Sequence, residues 1–107
     1  MEDCIFCKIA NKEINSEIVY EDDGFVVFKD IKPKAPFHAL IVPKKHIKWL
    51  NDLDENDLEL AGKMLLLAVK IAKENKVENA YQVKVHVGEK GGQEIFHLHM
   101  HILGWPE

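Results

Sequence analysis

The chain has 107 residues, 47% hydrophobic and 30% charged, with a formal net charge of −4 when its six histidines are neutral. That length fits a single domain, residues 1–107, with a real core, and the acidic balance argues against general nucleic-acid affinity, which needs a basic face. No apolar run approaches a membrane span, and no signal-peptide core follows the acidic start Met1-Glu2-Asp3.

A cytoplasmic protein is therefore expected, making no membrane contact. In that compartment Cys4 and Cys7 are expected to be reduced, metal-bound or inert rather than joined in a structural disulfide. A small anionic ligand stays open, because a local nest of backbone N–H groups can hold phosphate even in an acidic protein.

Residues 3–13 read as a short amphipathic helix with Asp3 as its N-cap and Ile5, Phe6, Ile9 and Ala10 as its apolar side. Cys4 and Cys7 are three apart, so both thiols face one side of the first turn. Ile18-Val19-Tyr20 and Phe25-Val26-Val27-Phe28 read as two strands. The turn Glu21-Asp22-Asp23-Gly24 joins them, with Asp-Gly supplying a positive φ. Asp30 ends the second strand. Pro33 and Pro36 keep the next stretch out of a central strand, because each removes a ladder donor. His38-Ala39-Leu40-Ile41-Val42 is a third strand, closed by Pro43 and followed by the loop Lys44-Lys45-His46-Ile47.

One long helix spans about residues 55–75 by its periodicity. Asp54 is its N-cap, and Glu55 and Asp57 suit the positive end of its dipole. Leu58, Ala61, Leu65, Ala68 and Ala72 form one apolar stripe, and Leu60, Met64, Leu67 and Ile71 form another beside it. That is wider than one sheet face needs, so a homodimer is expected. The alternative is that the monomer buries both stripes.

A fourth strand covers about residues 80–87. Tyr81, Val83, Val85 and Val87 lie on one face, and Gln82, Lys84 and His86 on the other. Gly88-Glu89-Lys90-Gly91-Gly92-Gln93 is a glycine-rich turn into a last strand over residues 95–103. Five strands with short connections and two helices predict an α+β fold with a five-stranded antiparallel sheet.

The last strand carries the chemistry. In Phe96-His97-Leu98-His99-Met100-His101-Ile102, a period of two puts three imidazoles on one face and four apolar residues on the other. Two chemistries suit the pattern. Alternating histidines can share a metal ion such as Zn²⁺. Alternatively, neutral imidazole is abundant near pH 7 and can act as a nucleophile at phosphorus. If Nδ1–H is held by a carbonyl, Nε2 is left free to attack, and neighbouring imidazoles can supply a proton and hold phosphate oxygens. Gly91-Gly92-Gln93 just upstream is a candidate phosphate cradle built of backbone N–H groups.

These residues carry a family resemblance. His97-x-His99-x-His101-Ile102-Leu103, preceded by Gly91-Gly92-Gln93, resembles the signature of the histidine triad family in its HINT-like nucleotide-binding branch. Cys4-Ile5-Phe6-Cys7-Lys8-Ile9, Phe28-Lys29-Asp30-Ile31 and the run from Ala35 to His46 are similar to the family's segments in the same order.

The resemblance implies a hydrolase that cleaves nucleoside phosphoramidates or related conjugates through a nucleotidyl-histidine. His99 would be the nucleophile, His101 would serve phosphate and proton transfer, His97 would orient the central ring, and His38 would complete the cluster. By the same resemblance Asp30 takes the ribose hydroxyls. Ile5, Phe6, Ile9, Phe28, Ile31 and Leu40 would enclose a purine, Gly92 and Gln93 would lie along the phosphate, and His86 would meet the phosphate or the ribose. His86 stands where relatives usually carry asparagine, and Glu94 stands where animal-type members carry serine. A carboxylate should not approach phosphate, so Glu94 is expected to turn away.

Some bacterial-type relatives bind zinc, and the resemblance points to Cys4, Cys7, His46 and His97 as the ligands of a structural Zn²⁺. No catalytic cofactor is implied. The expected ligand is a purine nucleoside monophosphate or its phosphoramidate. A non-catalytic nucleotide-binding module of the same fold is the alternative, and a zinc hydrolase with metal on the triad is a third reading.

Overall fold

A computed structural model describes residues 4–107. The sequence-predicted N-cap Asp3 lies outside the described residues. Cys4 takes the cap position, extended at φ −81° and ψ 113°, and its Sγ accepts from the Cys7 N–H at 3.4 Å. Helix α1, Ile5–Ala10, is a turn and a half long and buries only Phe6 and Ile9. It ends at Asn11, after which Lys12 reverses the chain at φ +65°.

Strands β1 (Ile18–Glu21), β2 (Phe25–Lys29), β3 (Phe37–Pro43), β4 (Tyr81–Lys84) and β5 (Met100–Gly104) form one antiparallel sheet in the order β1-β2-β3-β5-β4. The predicted α+β architecture is the one observed. The β1–β2 turn works differently from expectation, because Gly24 does not have a positive φ. Asp22 shapes the turn instead, its Oδ1 accepting from the N–H groups of Gly24 and Phe25, each at 2.8 Å. An Asx turn of this kind substitutes a side-chain acceptor for a left-handed backbone.

Helix α2 spans Leu58–Glu74 and is preceded by a single 3-10 turn, Glu55–Asp57. Asp54, expected as the cap of the long helix, caps that turn, and Asp57 stands at the α2 N-cap without a side-chain cap bond. The Asp54 carboxylate accepts from Asn56 N–H at 2.8 Å, and Asp57 accepts from Asp54 N–H at 3.1 Å. One face of the sheet, Phe25, Val27, Phe37, Ala39 and Ile41, packs against Met64, Leu67, Ala68, Ile71 and Ala72 of α2. The opposite face, Val26, Phe28, Leu40 and Val42, packs against Phe6 and Ile9 of α1. Strand alternation in the buried centre of the sheet thus makes two cores from one set of strands.

The monomer does not bury both predicted stripes of α2. Leu58 and Leu65 of the first stripe are 73% and 55% exposed while its Ala68 and Ala72 are buried, and Leu66, which neither stripe included, is 69% exposed. The histidine strand is also shorter than predicted. Regular pairing begins at Met100, so His97 and His99 lie on irregular chain leading into β5. Leu98, Met100 and Ile102 still enter the α2 core. Phe96 does not. It is 39% exposed and sits edge-on to Trp49, with Lys48 near both rings.

Candidate active site and metal cluster

The sheet face that carries α1 holds a cleft of about 520 Å³. Ile5, Phe6, Ile9, Phe28, Ile31 and Leu40 line it, and so do Asp30, His86, Gly92, His99 and His101. Phe6 forms much of the inner wall. Its ring stands edge-on to Phe28 at 5.4 Å and to His99 at 5.0 Å between centroids. Ile31 is at the mouth and 89% exposed.

Each imidazole is set by a particular partner. His99 donates from Nδ1 to the carbonyl of His97 at 2.7 Å. A carbonyl only accepts, so the proton sits on Nδ1 and the Nε2 lone pair is free. Burial holds His99 below the usual histidine range, against the opposing pull of that carbonyl, so the neutral ring is favoured.

The His38–His101 pair is set from a backbone amide. Lys34 N–H donates to His38 Nδ1 at 3.1 Å, which places the His38 proton on Nε2. That Nε2–H lies 3.0 Å from His101 Nδ1 and 3.5 Å from Asp30 Oδ2. His101 therefore accepts on Nδ1 and carries its own proton on Nε2. The same backbone that holds the β2–β3 loop fixes an N–H donor on His101, two residues from a free lone pair on His99.

His38, His99 and His101 are all held below the usual histidine range, burial being the largest cause for each. Burial first, then the neighbouring His99, His38 and His86, lower His101 from 6.5 to about 4. Between those values the unfolded chain binds a proton that the folded chain does not, so stability rises with pH. The contribution is complete above about 6.5 and is lost as pH falls toward about 4. Thermal melts should therefore show a smaller stability loss between pH 7 and pH 5 for His101→Gln than for the unsubstituted protein. The difference should be about 1 kcal/mol, allowing for the partial exposure of the ring. Equal losses in the two proteins would contradict the assignment.

His97 is not part of the cleft lining, although its ring, like that of His99, stands edge-on to Phe6. Its ring is fully buried, and Nε2–H donates to the Pro43 carbonyl at 2.7 Å. The Nδ1 lone pair then faces Cys4 Sγ at 3.2 Å, His46 Nδ1 at 3.1 Å and Cys7 Sγ at 3.6 Å, and Cys7 Sγ lies 3.4 Å from His46 Nδ1. All four donor atoms are within 4.8 Å of one another.

A tetrahedral zinc with Zn–S of about 2.3 Å and Zn–N of about 2.05 Å requires N···N near ~3.3 Å and S···N near ~3.6 Å. The cluster fits that shape, and the carbonyl behind His97 is the usual brace of a metal-bound imidazole. These four residues could hold a metal ion. Burial, then the adjacent Cys4 sulfur, raises the Cys7 thiol to about 11. A bound dication would supply the charge that displaces such protons.

Asp30, His38 and His101 form a second group of donors within 4.8 Å. His97 and His101 thus belong to different clusters, and His99 belongs to neither. The three triad rings do not converge on one point, which is what a metal held by the whole triad would need.

One expectation is corrected. The glycine loop is not a cradle of inward N–H groups. Gly91 and Gln93 N–H donate to Gly88 O, and Gly92 N–H donates to Glu89 O. The Gln93 side chain is buried and fully engaged, accepting from Gly88 N–H and donating to the carbonyls of Lys48 and Ile95. It braces the loop. Gly92, at φ +96°, lets the chain pass the His86 ring, which a Cβ there would meet at 3.3 Å. Glu94 is exposed and is among the residues that line the cleft.

Lys29, Lys32 and Lys34, with Ile14, Asn15 and Ser16, also line the cleft and were not anticipated. Their only signal in the sequence is nearness to Asp30 or to the end of α1. The carbonyls of Pro43 and His97 and the amide of Lys34 have no side-chain signature at all.

The fold and the cluster define a protein of the triad type, with a ligand-sized cleft at His99 and His101 and a Cys₂His₂ group at His97. A family described as scavenger mRNA decapping enzyme C-terminal binding matches residues 3–107. The chain is 47% identical over 106 residues to Protein HitA of Neisseria gonorrhoeae, covering 99% of each chain. It is 42% identical over 104 residues to the purine nucleoside phosphoramidase of Escherichia coli K12, covering 96% of this chain and 87% of that one. A HIT family hydrolase from Legionella pneumophila superposes with a TM-score of 0.95 at 42% identity, over 98% of this chain and 95% of that one. A histidine triad protein from Clostridium difficile gives 0.94 at 44% identity, over 100% and 94%. The chain belongs to the histidine triad family.

Proposed function

We propose that the protein is a purine nucleotide-binding hydrolase that cleaves nucleoside phosphoramidates, or related nucleotidyl conjugates, through a nucleotidyl-histidine on His99. One observation carries the reading: a neutral His99, with Nδ1 tied to the His97 carbonyl at 2.7 Å, faces a cleft with its Nε2 lone pair free. The similarity to a purine nucleoside phosphoramidase supports the substrate class.

The purine lies between Phe6, Ile9, Phe28 and Leu40, with Ile5 and Ile31 at the rim, and Asp30 accepts from the ribose hydroxyls. His99 Nε2 attacks the α-phosphorus, forming a P–N bond as the P–N bond to the leaving amine breaks. His101 Nε2–H passes its proton to that amine as the ring takes a replacement proton from solvent, so the imidazole stays neutral. Water then attacks phosphorus and gives up its proton to solvent through the same ring. The bond to His99 breaks, nucleoside monophosphate is released, and both rings return to their starting tautomers. His38, held by Lys34 N–H, keeps His101 in the tautomer that can donate.

Zinc is the ion suited to Cys4, Cys7, His46 and His97. A closed four-ligand site has no open position for substrate, so zinc would tie α1 to the chain before β5 and take no part in the reaction.

A single-turnover reaction with adenosine 5′-phosphoramidate, quenched in base, tests the mechanism. Base-stable, acid-labile nucleotide should remain on the protein and map to His99. Nucleotide binding with no turnover would replace this reading by that of a binding module.

The exposed Leu58, Leu65 and Leu66 of α2 support a homodimer. Light scattering at micromolar concentration should give about 25 kDa for the protein, twice the chain mass of 12.3 kDa, and a monomer for the double substitution Leu65→Glu, Leu66→Glu. A monomeric starting protein would overturn the dimer.

A further inference from the structure

One cross-strand row crosses the cleft, with Phe28, Leu40 and His101 in its lining and Ile18 and Lys84 flanking them on the outer strands. Ile18 pairs with Phe28, Phe28 with Leu40, Leu40 with His101, and His101 with Lys84. Directly paired residues of an antiparallel sheet share a face, with Cβ atoms about 4.5–5.5 Å apart. The row changes character in order. Three apolar residues come first, then an imidazole, then an ammonium on the edge strand β4.

A nucleotidyl conjugate has the same order: base, phosphorus, leaving group. With the base at the apolar end and phosphorus at His99 and His101, the leaving group is directed along the row toward β4. This inference rests on the proposed hydrolase reading and concerns the part of the substrate that reading leaves open.

Asp30 is the acidic group at the His38–His101 pair, its Oδ2 3.5 Å from His38 Nε2, and Lys34 and Lys84 are the cations that act there. Among the described residues, neither Lys84 nor Lys34 has a carboxylate within 4.0 Å. Lys29 and Lys44, by contrast, are tied to Glu17 at 3.0 Å and Glu21 at 2.8 Å. Lys34 lines the cleft. Burial lowers His38 first, the Asp30 charge opposes it, and the charges of Lys34 and Lys84 add to the lowering. Two cations from different elements, the β2–β3 loop and β4, therefore bear on one point at the His38–His101 pair. Lysine on an exposed edge strand also discourages sheet-to-sheet aggregation. That role alone does not select the position paired with His101.

We propose that Lys84, together with Lys34, forms a subsite for an anionic leaving group, so that the preferred substrate is a nucleotidyl conjugate whose departing amine carries a carboxylate or a phosphate. The cations draw the anion past the triad and hold the scissile bond over His99.

Two matched pairs of adenosine 5′-phosphoramidates test this. One pair is the conjugate of alanine against that of alanine amide. The other is the conjugate of O-phosphoethanolamine against that of ethanolamine. For each pair the readout is the ratio of kcat/KM, anionic over neutral. The ratio should be about fivefold or more, a size set by one or two exposed ion pairs, and should shrink in 0.5 M salt. In Lys84→Met it should fall toward one, in Lys84→Glu it should fall below one, and in Lys73→Met on α2 it should stay as in the parent. A Lys84-dependent ratio in only one pair identifies which anion the subsite takes.

Ratios that ignore both Lys84 substitutions, or that respond equally to Lys73→Met, overturn the subsite while leaving the hydrolase reading intact. If no conjugate turns over, the hydrolase reading fails. The subsite is then judged by calorimetric binding of the corresponding non-hydrolysable methylenephosphonates, where affinities independent of Lys84 overturn it.

Discussion

His99→Asn is expected to lower turnover of adenosine 5′-phosphoramidate by ~10⁴-fold or more, as loss of a covalent nucleophile does, while the Kd for AMP changes by only a few-fold. The contrast follows from where the ring's interactions lie. His99 spends Nδ1 on the His97 carbonyl, and the cleft walls are supplied by Phe6, Ile9, Phe28 and Leu40. Asparagine keeps a donor near that carbonyl and removes the Nε2 lone pair. Binding energy from the base and ribose survives, and the attacking atom does not. Unchanged turnover would eliminate His99 as nucleophile. Loss of AMP binding in proportion to turnover would make its role one of shaping the cleft.

The Cys4→Ser, Cys7→Ser double variant is expected to lose one equivalent of bound zinc and to melt on the order of 10 °C lower, since metal binding to a preformed site is folding free energy. α1 explains the size of the effect. Six residues are too few to hold a helix by themselves, and α1 buries only Phe6 and Ile9. Its first turn is anchored where both sulfurs meet His46 and His97. Loosening α1 withdraws Phe6 from the cleft wall and from the edge of His99, so the KM for the phosphoramidate should rise as well. Metal analysis showing undiminished zinc in the variant would refute the site.

The histidine run shows how far pattern reading reaches. Alternation correctly separated His97, His99 and His101 from Leu98, Met100 and Ile102. It overestimated the strand, because the irregular chain before Met100 keeps the alternation without the ladder. Phe96 was misplaced for that reason, since outside the ladder its position in the pattern no longer fixes its face. The glycine loop failed differently. Gly91, Gly92 and Gln93 can present N–H groups to an anion, but whether they do depends on which acceptors the fold supplies, and Gly88 and Glu89 supply them locally.

By itself the sequence determined the α+β class, the five strands and long helix, the two apolar stripes of α2, and the residue types needed for phosphorus chemistry and metal ligation. Those are local matters of period, cap and donor identity, readable one segment at a time. Only the tertiary structure decided which nitrogen of each imidazole is free, because the deciding partners are the backbone groups of Lys34, Pro43 and His97. It likewise decided that His97 turns to the cysteines while His99 and His101 turn to the cleft, and that Lys84 completes the row begun by Ile18. Hydrogen-bond partners and cross-strand neighbours are set by register between distant segments, and register is a property of the folded chain.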